Sequence, residues 1–227
     1  VAANAHFPIL AANFRDGKGE LVAGLQESAL FALPDGGKLG VFGLTSSFDG
    51  LYESFGVHFP DTAEIARQCI EGLRAHGATV IILLSHLGLP ADRDLADIVS
   101  GINVIIGAHS HDRLPEGEVH AGVLIAQTCH YAEALGRVDL TLDATGNVIE
   151  RAARLIEVPP DEFADTTVLE AIARAERQVA ALMAEPIGEC DAELELDYFQ
   201  ECRMGNVAAD AVRARMKAEV ALLAGGH

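Results

Sequence analysis

The chain has 227 residues, half of them apolar, and a formal net charge of −18. That is enough length for one large domain, or for one domain and part of another, and enough apolar material for a core. The acidic balance excludes a duplex-binding surface, and no apolar run is long enough to span a membrane.

The elements follow in chain order. Residues 7–13 and 41–44 read as short buried strands. Asp61 stands before an apolar-periodic stretch with Glu64 three residues on, a capping box, and Gly77 is a left-handed stop. The spacing therefore predicts a helix up to about His76. Residues 78–85 form a fully apolar strand, the mark of a strand buried on both faces. Residues 92–99 read as a short helix, 103–107 as the next apolar strand, and 123–127 as strand-like. Residues 137–143 alternate, with Val138, Leu140 and Leu142 on one face. A turn at 143–147 then leads into a returning arm, 148–158. Pro159-Pro160 is a break. Asp165 caps a helix over 166–184 that Pro186 ends. Beyond it come an extended stretch, a helix over 206–217 and a strand over 219–223, followed by Gly225-Gly226. Residues 1–6 have neither a basic start nor a long apolar core, so they do not read as a signal peptide, and without an initiator Met one could precede them.

Acidity concentrates between Glu157 and Glu201, which hold thirteen acidic residues against Arg174 and Arg177. A solvated surface accounts for that. Cys69, Cys129, Cys190 and Cys202 form no CxxC pair, so a thiolate zinc site is not expected. Buried free thiols are the simpler reading, with Cys190–Cys202 the pair to consider if the fold joins them.

Three histidines stand out by position. His86 ends the strand 78–85, and His109 and His111 follow the strand 103–107. Sites in α/β sheets form at the carboxyl ends of strands. In an extended stretch residues i and i+2 point the same way, so His109 and His111 are expected to face one cavity. That suits two divalent ions about 3.5–4 Å apart, each taking an imidazole. Zn, Mn and Fe are the metals considered. The carboxylates near in sequence are Asp92, Asp94, Asp97 and Asp112. His6, His58, His76, His120, His130 and His227 read as surface or loop residues.

Leu84-Ser85-His86-Leu87-Gly88, followed by Gly101-Ile102-Asn103-Val104-Ile105-Ile106-Gly107-Ala108-His109-Ser110-His111-Asp112, resembles the later motifs of the metallophosphoesterases of the 5′-nucleotidase and 2′,3′-cyclic phosphodiesterase family. The likeness extends to residues 7–13, to Val41-Phe42-Gly43-Leu44-Thr45, to residues 131–140, and to Glu201-Cys202-Arg203-Met204-Gly205-Asn206 with Asp210. It implies an α/β fold: residues 1–158 as the second half of a layered αββα metallophosphoesterase sandwich, 159–188 as a linker helix, and 189–227 as the start of an α/β substrate domain. It implies that His86 and His109 bind one metal and His111 the other. The family's remaining ligands and its catalytic His lie in Asp-x-His, Gly-Asp and Gly-Asn-His motifs upstream of the strand matched by 7–13. In that family an Arg and an aromatic nucleobase clamp follow the position matched by the Gly-Gly turn. The chain is thus expected to be the middle of a longer enzyme, its site completed by a missing segment or a second chain. No catalytic residue is identifiable within it.

The family's arginines before the matched Glu are replaced here by Tyr198 and Gln200, which leaves Arg203 as the substrate-binding candidate. Cys129 stands where a Gly is common. The resemblance implies metal-dependent hydrolysis of phosphate esters, with nucleotides as small-molecule substrates and two divalent ions as cofactors. It leaves room for a cyclic phosphodiesterase, a nucleotide-sugar hydrolase or a non-catalytic fragment serving as a binding module. It also implies a periplasmic or secreted location. An unpaired sheet edge would make the isolated chain poorly soluble or oligomeric.

Overall fold

The structure is a computed structural model. It describes residues 4–34, 36–47, 52–159, 164–197 and 200–223. The features expected at Pro160, Tyr198, Gly225-Gly226 and His227 lie outside these residues.

The chain divides into two compact units, Val1–Glu162 and Phe163–His227. In the first, the elements in order are β1 (Arg15–Asp16), β2 (Ser28–Ala32), β3 (Lys38–Thr45), β4 (Val57–His58), α1 (Thr62–Ala75), β5 (Val80–His86), α2 (Leu89–Ile98), β6 (Val104–Ile106), β7 (Glu118–His120), β8 (Val123–Ala126), β9 (Ala134–Leu142) and β10 (Val148–Glu157). Six of the strands form one sheet in the order β2-β3-β5-β6-β8-β7. The central four are parallel, and β2 and β7 close the edges antiparallel. This is the α/β architecture the sequence implies.

Local chemistry explains the helices that build the sheet. Asp61 caps α1 by accepting the Glu64 N–H at 2.8 Å, and Gly77 ends it with φ 89°. Ile65, Cys69, Ile70 and Leu73 give α1 a buried stripe. α2 starts at Leu89-Pro90, after Gly88 with φ 93°. Proline is favoured in a first helical turn, where its missing N–H leaves no gap. It begins three residues earlier than the sequence suggests, because Gly88 and Pro90 read locally as loop residues.

One face of the sheet joins the helices in a continuous core. Phe42, Leu44, Ile81, Leu83, Ile105 and Ile125 meet the buried residues of α1 and α2. The opposite face is covered unevenly. Leu10 lies so close over Gly43 that a Cβ there would meet the Leu10 carbonyl oxygen at 2.2 Å, and only glycine allows that approach. Over β5 this face opens: Leu84 is 43% exposed although its strand is central.

Residues 7–13 are not the strand the apolar composition suggests. Only a bridge from Leu10 to Gln26 forms, and Phe7 is exposed. The segment is held instead by Ala12 N–H to Gly43 O at 2.7 Å and by Asn13, whose side chain pairs with both backbone groups of Thr45. A side-chain amide here does the work of a strand neighbour, which periodicity does not register.

The hairpin β9–β10 forms in full register over most of its length. Asp143 accepts the Thr145 hydroxyl at 2.7 Å and N–H groups from Thr145 and Asn147 to close its turn, and the Thr145 hydroxyl, followed by the Asn147 bonds, holds its carboxyl down at about 2.

In the second unit, α3 (Thr166–Met183) is capped by Asp165, and α4 (Arg203–Met216) is capped by the Cys202 sulfur accepting the Gly205 N–H. α4 thus starts three residues before the expected 206. Residues 219–223 form no strand: Val220 and Leu222 are exposed, and an apolar run without a pairing partner has no ladder to join. No helix among the described residues is long and apolar enough to cross a membrane.

Candidate metal centre

β5 and β6 are parallel neighbours, so their carboxyl ends open at the same edge of the sheet. His86 is the last residue of β5, and His109 follows β6 by three residues. Their rings meet, with centroids 5.1 Å apart and planes at 55°. The His111 ring lies against His130, with centroids 5.3 Å apart and rings edge to face. A cleft of about 510 Å³ lies beside His86, walled by Leu10, Phe14, Leu44, Leu84 and Ile106.

The backbone at His109 and His111 is not the extended stretch the sequence suggests. Both have left-handed backbones, φ 78° and 57°. The segment is a tight loop, so alternation along a strand does not decide where the two rings go. Such conformations are disfavoured by roughly 1–3 kcal/mol each for non-glycine residues and persist where the surroundings impose them.

Gln127, at the end of β8, is one such constraint. It is 2% exposed. Its Oε1 accepts the Asp112 N–H and its Nε2 donates to Ala108 O at 3.3 Å. One amide therefore clamps both ends of the His109–His111 loop. Ser110 ties that loop to the first one: its hydroxyl accepts the Leu89 N–H at 2.9 Å and donates to Asp112 Oδ2 at 2.6 Å.

Behind His86, the Ser85 hydroxyl donates to the buried carboxylate of Asp92 and accepts the Leu87 N–H at 3.2 Å. Asp92 is wholly buried, and its Oδ2 has no hydrogen-bond partner among the described residues. Gly107 makes room for it, since a Cβ there would meet that oxygen at 2.7 Å. Burial pushes the Asp92 carboxyl up to about 6, opposed by the Ser85 hydrogen bond. Asp112 is engaged by Ser110, while Asp97 pairs with His120 at 3.0 Å.

Burial lowers the pKa of His86, and the neighbouring His109 and His111 lower it further. All three effects favour the neutral imidazole, the form that binds a metal. A divalent ion fits this donor set: imidazoles at the mouths of two adjacent strands, on loops fixed by buried hydrogen bonds.

Gln127 and Ser110 carry no local sequence signal, because they act only through the placement of β8 beside β6. His130, expected among the surface or loop histidines, lies with its ring against His111. The four cysteines are free thiols. Cys69 and Cys202 are buried, and burial pushes the Cys69 thiol up to about 12. Arg203 lies in the second unit, where its guanidinium donates to Glu193 O at 3.2 Å and approaches Glu195 at 3.6 Å.

No protein-family model matches the chain. It is 25% identical over 226 residues to the metallophosphoesterase YunD of Bacillus subtilis (strain 168), covering 98% of this chain and 48% of that protein. It is 28% identical over 235 residues to a 5′-nucleotidase of Diplobatis ommata, covering 92% and 41%. Among solved structures, a 5′-nucleotidase precursor from Thermus thermophilus superposes with a TM-score of 0.75 at 24% identity, over 95% of this chain and 47% of that one. The chain spans about half the length of these relatives. By sequence and by fold, it is a homologue of the metallophosphoesterases and 5′-nucleotidases.

Proposed function

We propose that this chain serves the metal-dependent hydrolysis of phosphate esters, with small-molecule nucleotides as the substrate class. The observation that carries the reading is the contact between the His86 and His109 rings at the carboxyl ends of adjacent parallel strands. His86 and His109 would hold one ion and His111 a second. Bound divalent ions supply Lewis-acid charge stabilisation to phosphoryl transfer. The chain's own residues hold the imidazoles in place: Ser85 and Asp92 brace the His86 loop, and Gln127 and Ser110 fix the backbone that carries His109 and His111.

Two ions also need carboxylates. Asp92 is buried and bonded to Ser85, and Asp112 is bonded to Ser110. We therefore assign the remaining ligands to a further segment or a second chain, which would settle over the open sheet face at Leu84. Arg203 is the proposed phosphate-side contact from the substrate region, residues 189–227, with 1–158 as the metal-binding domain and 159–188 as the linker. A periplasmic or secreted location belongs to the same reading.

The commitment of Asp92 and Asp112 to supporting bonds also favours a second reading, a metal-binding module without turnover of its own. Elemental analysis of the purified chain, with p-nitrophenyl phosphate and AMP hydrolysis after adding Mn or Zn, separates the two. Near two or more ions per chain with turnover, the turnover lost and the metal content lowered in His86→Ala, supports the enzyme. Metal near or below one ion per chain with no turnover supports the module. Undiminished metal content in His86→Ala refutes the site itself.

A further inference from the structure

Next to the His-rich loop the chain makes a second cluster of a different chemical kind. Cys129, His130 and Glu133 each offer one ligand atom, and these atoms all lie within 4.8 Å of one another. Adjacent side chains on an extended strand point apart. Here Cys129 has φ 70°, so the chain turns and two consecutive side chains converge. The turn is anchored from several sides. Cys129 N–H donates to Asp112 O at 2.9 Å, Glu133 N–H to His130 O at 3.2 Å, and Val158 N–H to Glu133 O at 2.9 Å.

The imidazole of His130 is the informative group. Its Nδ1 is buried and has no hydrogen-bond partner among the described residues. The nearest carboxylate oxygen, on Glu133, is 3.5 Å away, beyond the usual 2.7–3.2 Å of an N–H···O bond. A buried nitrogen left at that distance from a carboxylate, with a thiol in the same cluster, has the outline of a ligand shell.

We propose that Cys129, His130 and Glu133 form a mononuclear site for a zinc-class divalent ion, separate from the one built on His86, His109 and His111. Thiolate and imidazole together select Zn²⁺ or Co²⁺ over Mg²⁺ or Ca²⁺. Tetrahedral zinc bonds of about 2.0–2.3 Å place ligand atoms about 3.3–3.8 Å apart, so the cluster must draw in by about 1 Å. The Glu133 side chain is exposed, and its own rotation supplies that movement. The Cys129 thiol releases its proton as the ion binds. Three protein ligands leave the fourth position open to water or to a small anion, as in zinc sites that exchange ligands. The edge contact of His130 with His111 places this ion beside the proposed phosphoesterase centre. The site does not depend on that centre's activity, because its ligands come from a different loop.

Cobalt titration of the purified chain tests this. A thiolate ligand gives Co²⁺ a near-ultraviolet charge-transfer band that imidazoles and carboxylates cannot produce. The band is expected in the wild type, retained in His86→Ala and His109→Ala, bleached by added Zn²⁺, and absent in Cys129→Ser. His130→Ala and Glu133→Gln should each weaken cobalt binding at least about tenfold, since even the groups that merely orient a ligand are worth about 10–100-fold. Circular dichroism of the Cys129→Ser chain matching the wild type excludes misfolding as the cause. No band at saturating cobalt, or a band that survives Cys129→Ser, overturns the proposal and leaves His130 and Glu133 as an ion pair.

Discussion

The two units of the chain differ in how they dispose of apolar surface. In the first, β3, β5, β6 and β8 and the two helices enclose Phe42, Ile81, Leu83, Ile105 and Ile125, each fully buried. In the second, Cys202 is the one described residue that counts as buried, at 7% exposure, while Val168, Leu169, Ile172, Val179 and Met183 along α3 are exposed. Both units are built from capped, amphipathic helices, so capping and periodicity do not separate them. What separates them is the sheet. A parallel sheet gives each helix a flat apolar surface to cover, whereas a helix without that surface keeps its stripe in solvent.

The largest expected effect tests this directly. Ile105→Ala opens a hole at the centre of the first unit's core and should lower unfolding stability by about 2–5 kcal/mol. Denaturant unfolding followed by circular dichroism measures it. A loss under about 1 kcal/mol would show that this core is loosely packed and that the contrast is overstated.

Asp92→Asn probes the buried polar layer beneath His86. Because burial raises the folded-state carboxyl from 3.8 to about 6, the native chain holds its proton more tightly than the unfolded chain between those values. The contribution of Asp92 to stability is therefore fully present below about pH 4 and is lost as pH rises through about 6. Relative to Asp92→Asn, the wild type should lose roughly 2 kcal/mol between pH 4 and pH 7. Paired denaturation curves across that range check the sign. A pH-independent difference would mean that Asp92 titrates like an exposed carboxylate.

The same contrast explains what the sequence reveals and what it hides. Asp61, Glu64 and Gly77 mark α1 because a cap and a stop are local events. Residues 78–85 announce a central strand because their unbroken apolar run leaves no polar alternation, although the face at Leu84 is open. His86 could be placed at a strand mouth for the same reason. The conformation of His109 and His111 could not, because the bonds that impose it come from Gln127, sixteen residues beyond His111 and on another strand. Residues 219–223 mislead for the opposite reason: they have strand composition, but nothing among the described residues pairs with them. The antiparallel edge β2 escapes because Ser28–Ala32 takes its strand character from β3 beside it.

The smallest expected effect lies on α3. Leu169 is 48% exposed, and Leu169→Ser removes apolar surface that this structure leaves in water. A surface change of that kind alters stability within about 0.5 kcal/mol. Thermal melting of the chain with and without the substitution measures the change. If the loss instead reaches the scale of Ile105→Ala, then α3 buries its stripe in solution, and the covering surface must come from self-association. Repeating the melt at tenfold lower protein concentration decides it. An apolar stripe buried between chains gives a melting temperature that falls on dilution, whereas a solvated stripe gives one that does not move.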